Sequence, residues 1–230
     1  MPVYPADVKY ETTGSLLVLQ EELQKRGVEY TVIINPGNPY LPKARNELAA
    51  AFLRSDCDEA LWLDADVGFG PAAVFKIIER TELVVAGIYP KKSDEKQFPV
   101  EIMTDPDGYP MGQGGLIEAY RIPFGFVKTS RSVFEHIKET FPEIEYTNNP
   151  HDAKAHPEWD FFPCGRSNGH YVGEDHGFCA LWIKAGGKIW VEPDITFVHK
   201  GDKGYVANYC TYLRGLPKPN PGKHYETAGI

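Results

Sequence analysis

The chain has 230 residues, 42% of them hydrophobic, enough to bury a full core in one domain, and no apolar stretch approaches the roughly 18–20 residues that span a bilayer. A formal charge of −8 and a pI near 5.4 exclude a long nucleic-acid groove, because sequence-independent affinity for phosphate rests on Lys and Arg. Cys57, Cys164, Cys179 and Cys210 form no C-x-x-C pair, so free thiols are expected rather than a zinc knuckle or disulfide framework. With no basic-then-apolar leader at the N-terminus, the expectation is a soluble, unexported, cytoplasmic protein.

In chain order, Leu16, Leu19, Gln20 and Leu23 follow helical spacing, and Gly27 ends that helix as a C′ residue. Val28 to Asn35 reads as a strand. Leu41 to Leu53 reads as a helix carrying Ala44, Leu48, Ala51 and Phe52 inward, followed by the apolar strand Ala60-Leu61-Trp62-Leu63. Pro71 to Arg80 is a further short helix and Leu83 to Tyr89 a buried strand. This β-α-β alternation predicts an α/β domain with a mostly parallel central sheet and helices on both faces. Lys91 to Tyr120, rich in Gly, Pro and Asp, reads as loop and hairpin. Ser130 to Phe141 is a helix with Ser130 as N-cap and Val133, Phe134, Ile137 and Phe141 on one face, leaving His136 at the surface. Thr147 to His170 is a long polar segment holding Asn148, Asn149, Pro150, Pro157 and Pro163 with Trp159, Phe161 and Phe162, as expected of a loop that covers a site. A helix from His176 to Ala185 ends at Gly186-Gly187.

Three clusters carry chemistry. Asp64-Ala65-Asp66 closes the Ala60–Leu63 strand, and carboxylates two residues apart share one face at the sheet edge where α/β ligands bind. Such a pair suits Mg²⁺ or Mn²⁺, which complete their shells with water and substrate phosphates; the plainer alternative is a turn into the Pro71 helix. Gly173-Glu174-Asp175 precedes a helix, where a carboxylate either caps the N-terminus or serves as a general base. His199 ends the strand Ile195-Thr196-Phe197-Val198, placed to give a third metal ligand from another element of the same edge.

These residues resemble the GT-A-type nucleotide-sugar glycosyltransferases, in particular the small family 2-like members of viruses and bacteria. Met1-Pro2-Val3-Tyr4 is similar to the end of their first strand, Ala44-Arg45-Asn46 to their Ala-Arg-Asn element, and Leu63-Asp64-Ala65-Asp66 to their D-x-D segment. Gly173-Glu174-Asp175 is similar to their acidic base motif, and Val198-His199-Lys200-Gly201 to their late His-x-Gly. The resemblance runs in order over residues 1–201, which it implies to be a single Rossmann-like GT-A domain, with 202–230 a tail packing on it or extending from it. That tail holds Tyr205, Tyr209, Tyr212 and Leu213 in an approximately helical pattern, then the Pro-rich stretch Gly215 to Gly222. The family's full first strand is almost missing before Pro2, so a very short strand or a truncated start is expected.

The resemblance implies metal-dependent transfer of a sugar from a nucleoside-diphosphate donor to a hydroxyl acceptor, a glycan above all, with inversion. Asp66 and His199 then bind the cation, and Asp64 completes the shell or holds the ribose. Arg45 faces the donor phosphate with Asn46 beside it on the same element, and Pro2 and Tyr4 pack near the base. Asp175, with Glu174 as runner-up, deprotonates the acceptor, and Tyr89–Lys92 and Phe124–Val127 line the sugar and acceptor region. A nucleotidyltransferase would want a glycine-rich basic loop where Met1 to Ser15 offers only Lys9 and Gly14. A non-catalytic nucleotide-sugar or glycan-binding protein is the other alternative.

Overall fold

In the computed structural model, which describes residues 1–5, 7–148, 156–167 and 169–218, the chain opens on strand β1 (Pro2–Val3) and helix α1 (Tyr10–Lys25). Then come β2 (Asn35–Pro36), α2 (Leu41–Leu53), β3 (Glu59–Leu63), β4 (Val67–Phe69), α3 (Pro71–Ile78) and β5 (Val84–Gly87). The middle holds β6 (Glu101–Ile102), β7 (Gly112–Gln113), β8 (Leu116–Arg121), β9 (Phe126–Ser130), α4 (Arg131–Thr140), β10 (Glu145–Tyr146), β11 (Glu158–Trp159), β12 (Gly165–Ser167) and β13 (His170–Val172). The last part is α5 (Glu174–Lys184), β14 (Ile189–Glu192), β15 (Thr196–Lys200), β16 (Gly204–Asn208) and α6 (Tyr209–Gly215). Asn149, Pro150 and the tail from residue 219, including Gly222, lie outside the described residues.

The central sheet runs β3-β9-β5-β14-β8-β6, with β7 also paired to β8. Within this sheet β5 and β14 are the one parallel pair among the described residues; β9 lies antiparallel between β3 and β5, and β8 antiparallel beside β14. The sheet is therefore mixed rather than mostly parallel, because Phe126–Ser130, read from sequence as lining segment and helix start, fills the place between two parallel strands. Its pleat fits there: Phe126 points to one core and Val127 to the other, while the Lys128 ammonium is buried against the Glu59 carboxylate (3.1 Å) and the Arg80 carbonyl (2.7 Å). The expected strand Val28–Asn35 is also corrected. Only Asn35 and Pro36 pair, in parallel with the two residues of β1, and Val28, Tyr30, Val32 and Ile34 remain exposed.

Alternation along β3, β5 and β14 gives the sheet two apolar faces, the signature of a sheet covered on both sides. Trp62, Val84, Ala86 and Val191 pack beneath α2, α4 and α5, whereas Leu63, Val85 and Trp190 face α1, α3 and the small sheet β4-β15-β16. Phe161 and Phe162, expected in a covering loop, are fully buried in the first core, where Phe162 stacks on Phe178 at 5.1 Å. Helix α1 meets the edge of β4 through polar groups: Thr12 donates to the Val67 carbonyl (3.1 Å) and Ser15 accepts from the Phe69 amide (2.8 Å). It ends in a Schellman motif, with Gly27 at φ 66° and the Val28 amide on the Leu23 carbonyl (3.0 Å). Past residue 201, β16 pairs with β15, and Tyr209 and Tyr212 of α6 lie against Phe98 with ring centroids 4.9 and 5.0 Å away.

Ser130 stands at the N-cap of α4 as expected, although its hydroxyl caps nothing. The neighbouring Arg131 does more, donating from its guanidinium to the carbonyls of Phe52, Leu53, Ser55 and Cys57 and so closing the C-terminal end of α2. Arg131→Ala is expected to lower unfolding free energy by about 2–3 kcal/mol, measured in urea, since these carbonyls lose a charged donor inside the fold. A change below about 0.5 kcal/mol would mean that water replaces the guanidinium freely.

Candidate active site

The Asp64–Asp66 turn leaves the C-terminal end of β3, and two neighbours arrive at the same edge. Tyr89 and Pro90 follow β5, and Phe124-Gly125 precede the antiparallel β9. The Asp64 amide donates to the Gly125 carbonyl at 3.0 Å, which fixes the turn against β9. Asp64 then accepts from Arg45 Nη2 (3.1 Å) and from the Tyr89 hydroxyl (3.3 Å). Burial pushes the Tyr89 phenol well above its ordinary range, with the Asp64 charge adding to it, so this group stays a donor.

Arg45, expected against the donor phosphate, is 2% exposed and turned inward. Its Nη1 donates to the Phe124 carbonyl (2.9 Å), and its Nε, which makes no hydrogen bond, lies 3.4 Å from Glu174 Oε1. Burial opposes its charge, yet Asp64 and Glu174 outweigh burial and hold it protonated. Asn46 is likewise committed inside: its amide donates to Asp160 (2.8 Å) and accepts from the Phe162 amide (3.1 Å), fastening the 160–162 segment beneath Arg45. In β1, Pro2 is buried, whereas Tyr4 just after it is 63% exposed and presents its ring to solvent.

Asp66 and His199 come together. His199 Nε2 lies 3.6 Å from Asp66 Oδ1, and Nδ1 is 2.7 Å from the Pro90 carbonyl, so Nδ1–H donates to that carbonyl and Nε2 is the ring nitrogen turned toward the carboxylate. The Lys200 amide on the Asp66 carbonyl (2.8 Å) ties this strand to the turn, and the Tyr89 ring lies edge-on to the imidazole at 4.8 Å. The other Asp66 oxygen pairs with the Lys92 ammonium. Burial raises the Asp66 carboxyl, but His199 and Lys92 outweigh it and hold it below the usual range. Asp64 is not part of this pair, being engaged with Arg45 and Tyr89. No group of three or more His, Cys, Asp or Glu side chains is gathered as a metal site among the described residues.

Helix α5 starts at Glu174, two residues before the expected His176, with Gly173 at the N-cap and both acids in the first turn. Asp175 Oδ1 accepts from the His176 amide at 2.8 Å. Glu174 faces Arg45, and burial raises its carboxyl despite that attraction. The Asp64 charge, then those of Asp175 and Asp66, add to burial in raising the Tyr89 phenol.

Three of these partners lie outside the motifs, in segments that the sequence marks only as lining: Tyr89 and Lys92 in Tyr89–Lys92, and Gly125 in Phe124–Val127. A Cβ on Gly125 would lie 2.4 Å from Asp64 Oδ2 and 2.5 Å from the Tyr89 oxygen, so a larger residue fits only if those side chains shift. Gly125→Ala is therefore expected to separate Asp64 from Tyr89 and destabilise the fold by about 1–3 kcal/mol, read as a lowered thermal midpoint. An unchanged midpoint would show that the turn yields. Two open cavities lie away from the cluster, one of about 530 Å³ lined by Met111, Leu116, Pro193 and Leu213, the other of about 340 Å³ lined by Leu83, His136 and Trp182.

No protein-family model matches the chain, and no curated protein matches it. Among solved structures, the crystal structure of A197 from STIV aligns over 91% of this chain and 88% of that one, at 16% identity and a TM-score of 0.52. GalNAc-T7 with UDP, GalNAc and Mn²⁺ aligns over 80% of this chain and 34% of that one, at 12% identity and a TM-score of 0.39. The first likeness shows a shared fold; the second is too low to show one. No described helix is long and apolar enough to cross a membrane.

Proposed function

We propose that the chain is a metal-dependent glycosyltransferase that moves a sugar from a nucleoside-diphosphate donor to a hydroxyl acceptor with inversion. The observation that carries this reading is the facing of Asp66 and His199 at 3.6 Å, with the imidazole oriented by Pro90 as a metal-ligating histidine is oriented. One carboxylate and one imidazole suit Mn²⁺ or Mg²⁺ with substrate phosphate and water filling the remaining positions, and such a cation supplies charge neutralisation for the diphosphate leaving group.

The chain's own residues do the rest. Tyr4 offers an exposed ring on which a base can stack. Arg45 acts through others: from inside the fold it holds Asp64 and Glu174 in place, and Asp64, with Tyr89 on its second oxygen, stays at the edge for a donor hydroxyl or a metal-bound water. Asp175 accepts the proton of the attacking hydroxyl. Its Oδ1 is held by the His176 amide, its other oxygen makes no hydrogen bond among the described residues, and Glu174 is occupied by Arg45.

Incubation with UDP-, GDP- and CMP-sugars, simple hydroxyl acceptors and Mn²⁺, followed by quantification of released nucleotide, tests this. Release from one nucleotide class, abolished by a chelator, is expected. Absence of release from every donor, or release indifferent to the chelator, would contradict it.

A further inference from the structure

Lys92 stands where two ligands of the site would meet. It follows the Tyr89-Pro90 segment that orients His199, and its backbone is held in a tight turn by the Lys91 amide on the Gln97 carbonyl (2.8 Å) and the Ser93 amide on the Lys91 carbonyl (2.9 Å). From there the side chain runs along Gly201. A Cβ on Gly201 would come within 3.2 Å of Lys92 Cδ and 3.6 Å of Cγ, so the glycine two residues after His199 leaves room for the stem. The ammonium then pairs with Asp66 Oδ2, while Oδ1 of the same carboxylate faces His199.

A divalent cation drawn to Asp66 must contend with this ammonium, because both seek the same carboxylate in a partly desolvated place. A displaced lysine does not leave, since its backbone is held in the 91–93 turn, while the side chain and its three N–H donors remain free to turn in the space beside Gly201. The nearest anion is then the one that the cation brings. We propose that Lys92 is a diphosphate-binding residue that competes with the divalent cation for Asp66 and, once displaced, moves onto the phosphate oxygens of the donor. This rests on the reading of Asp66 and His199 as the cation site.

Calorimetric titration of the full chain with Mn²⁺ alone, and then with pyrophosphate at saturating Mn²⁺, tests the proposal in wild type, Lys92→Met, Lys92→Arg and Asp66→Ala. Lys92→Met is expected to bind Mn²⁺ about tenfold more tightly than wild type and pyrophosphate about tenfold more weakly. Lys92→Arg should stay within about twofold of wild type for Mn²⁺. Equal Mn²⁺ affinity in wild type and Lys92→Met, lost in Asp66→Ala, would overturn the role of Lys92 and leave the cation site standing. Absence of Mn²⁺ binding in both wild type and Lys92→Met would overturn the cation site and the proposal with it. Thermal midpoints measured alongside exclude misfolding, because the Lys92 side chain is 39% exposed and packs in neither core.

Discussion

Asp66→Ala is expected to weaken nucleoside-diphosphate binding by about 100-fold in the presence of Mn²⁺ and to remove the dependence on Mn²⁺ altogether. Asp66 carries the full negative charge of the pair and reaches both His199 and Lys92, so its loss takes away the carboxylate on which a cation would rest. Alanine also frees Lys92, so the residual binding should be independent of metal and sensitive to salt. His199→Ala should act in the same direction but less completely, because a neutral imidazole contributes a lone pair and no charge. Titration of both variants with UDP and GDP, with and without Mn²⁺, gives the answer. Unchanged affinity and unchanged Mn²⁺ dependence in Asp66→Ala would reduce Asp66 to a partner of Lys92.

Asp175→Asn should leave donor affinity intact and lower turnover by about 10²–10⁴. The amide oxygen of Asn can still accept from the His176 amide, so the first turn of α5 keeps its geometry while the side chain loses its capacity to take up a proton. Glu174→Gln probes a different role. It removes the negative partner of a guanidinium that is 2% exposed, so its main effect is expected on stability, seen as a lower thermal midpoint. Turnover, donor affinity and midpoint measured for the two variants in parallel separate the neighbours. Loss of turnover confined to Glu174→Gln, at an unchanged midpoint, would move the base by one residue; full activity in both would leave the acids as helix-stabilising groups.

Local pattern made much of this legible. The apolar run into Asp64-Ala65-Asp66, the helix bearing Arg45 and the strand ending in His199 are short-range signals, and the sheet edge then brings Asp66 and His199 within 3.6 Å. Long-range pairing was not legible. The strand Phe126–Ser130 carries a lysine and two hydroxyl residues, so its insertion between β3 and β5 depends on Glu59 and the Arg80 carbonyl, both distant in sequence, solvating Lys128. For the same reason Arg45 read as a phosphate ligand. Its helix position was right, but the three oxygens that turn it inward come from β3, the start of β9 and α5. Trp159, Phe161 and Phe162 looked like a lid because Pro and Gly surround them, whereas Asn46 fastens that segment into the core.

Calorimetry of the wild-type chain with UDP, GDP and CMP, each with and without Mn²⁺, addresses the central claim most directly. One nucleotide should bind in the micromolar to millimolar range with Mn²⁺ and about tenfold or more weakly without it, because a cation held by Asp66 and His199, which face each other at 3.6 Å, would be what links them to the phosphates. Nucleotide binding of equal strength in both conditions would contradict a metal-bridged donor site at this sheet edge.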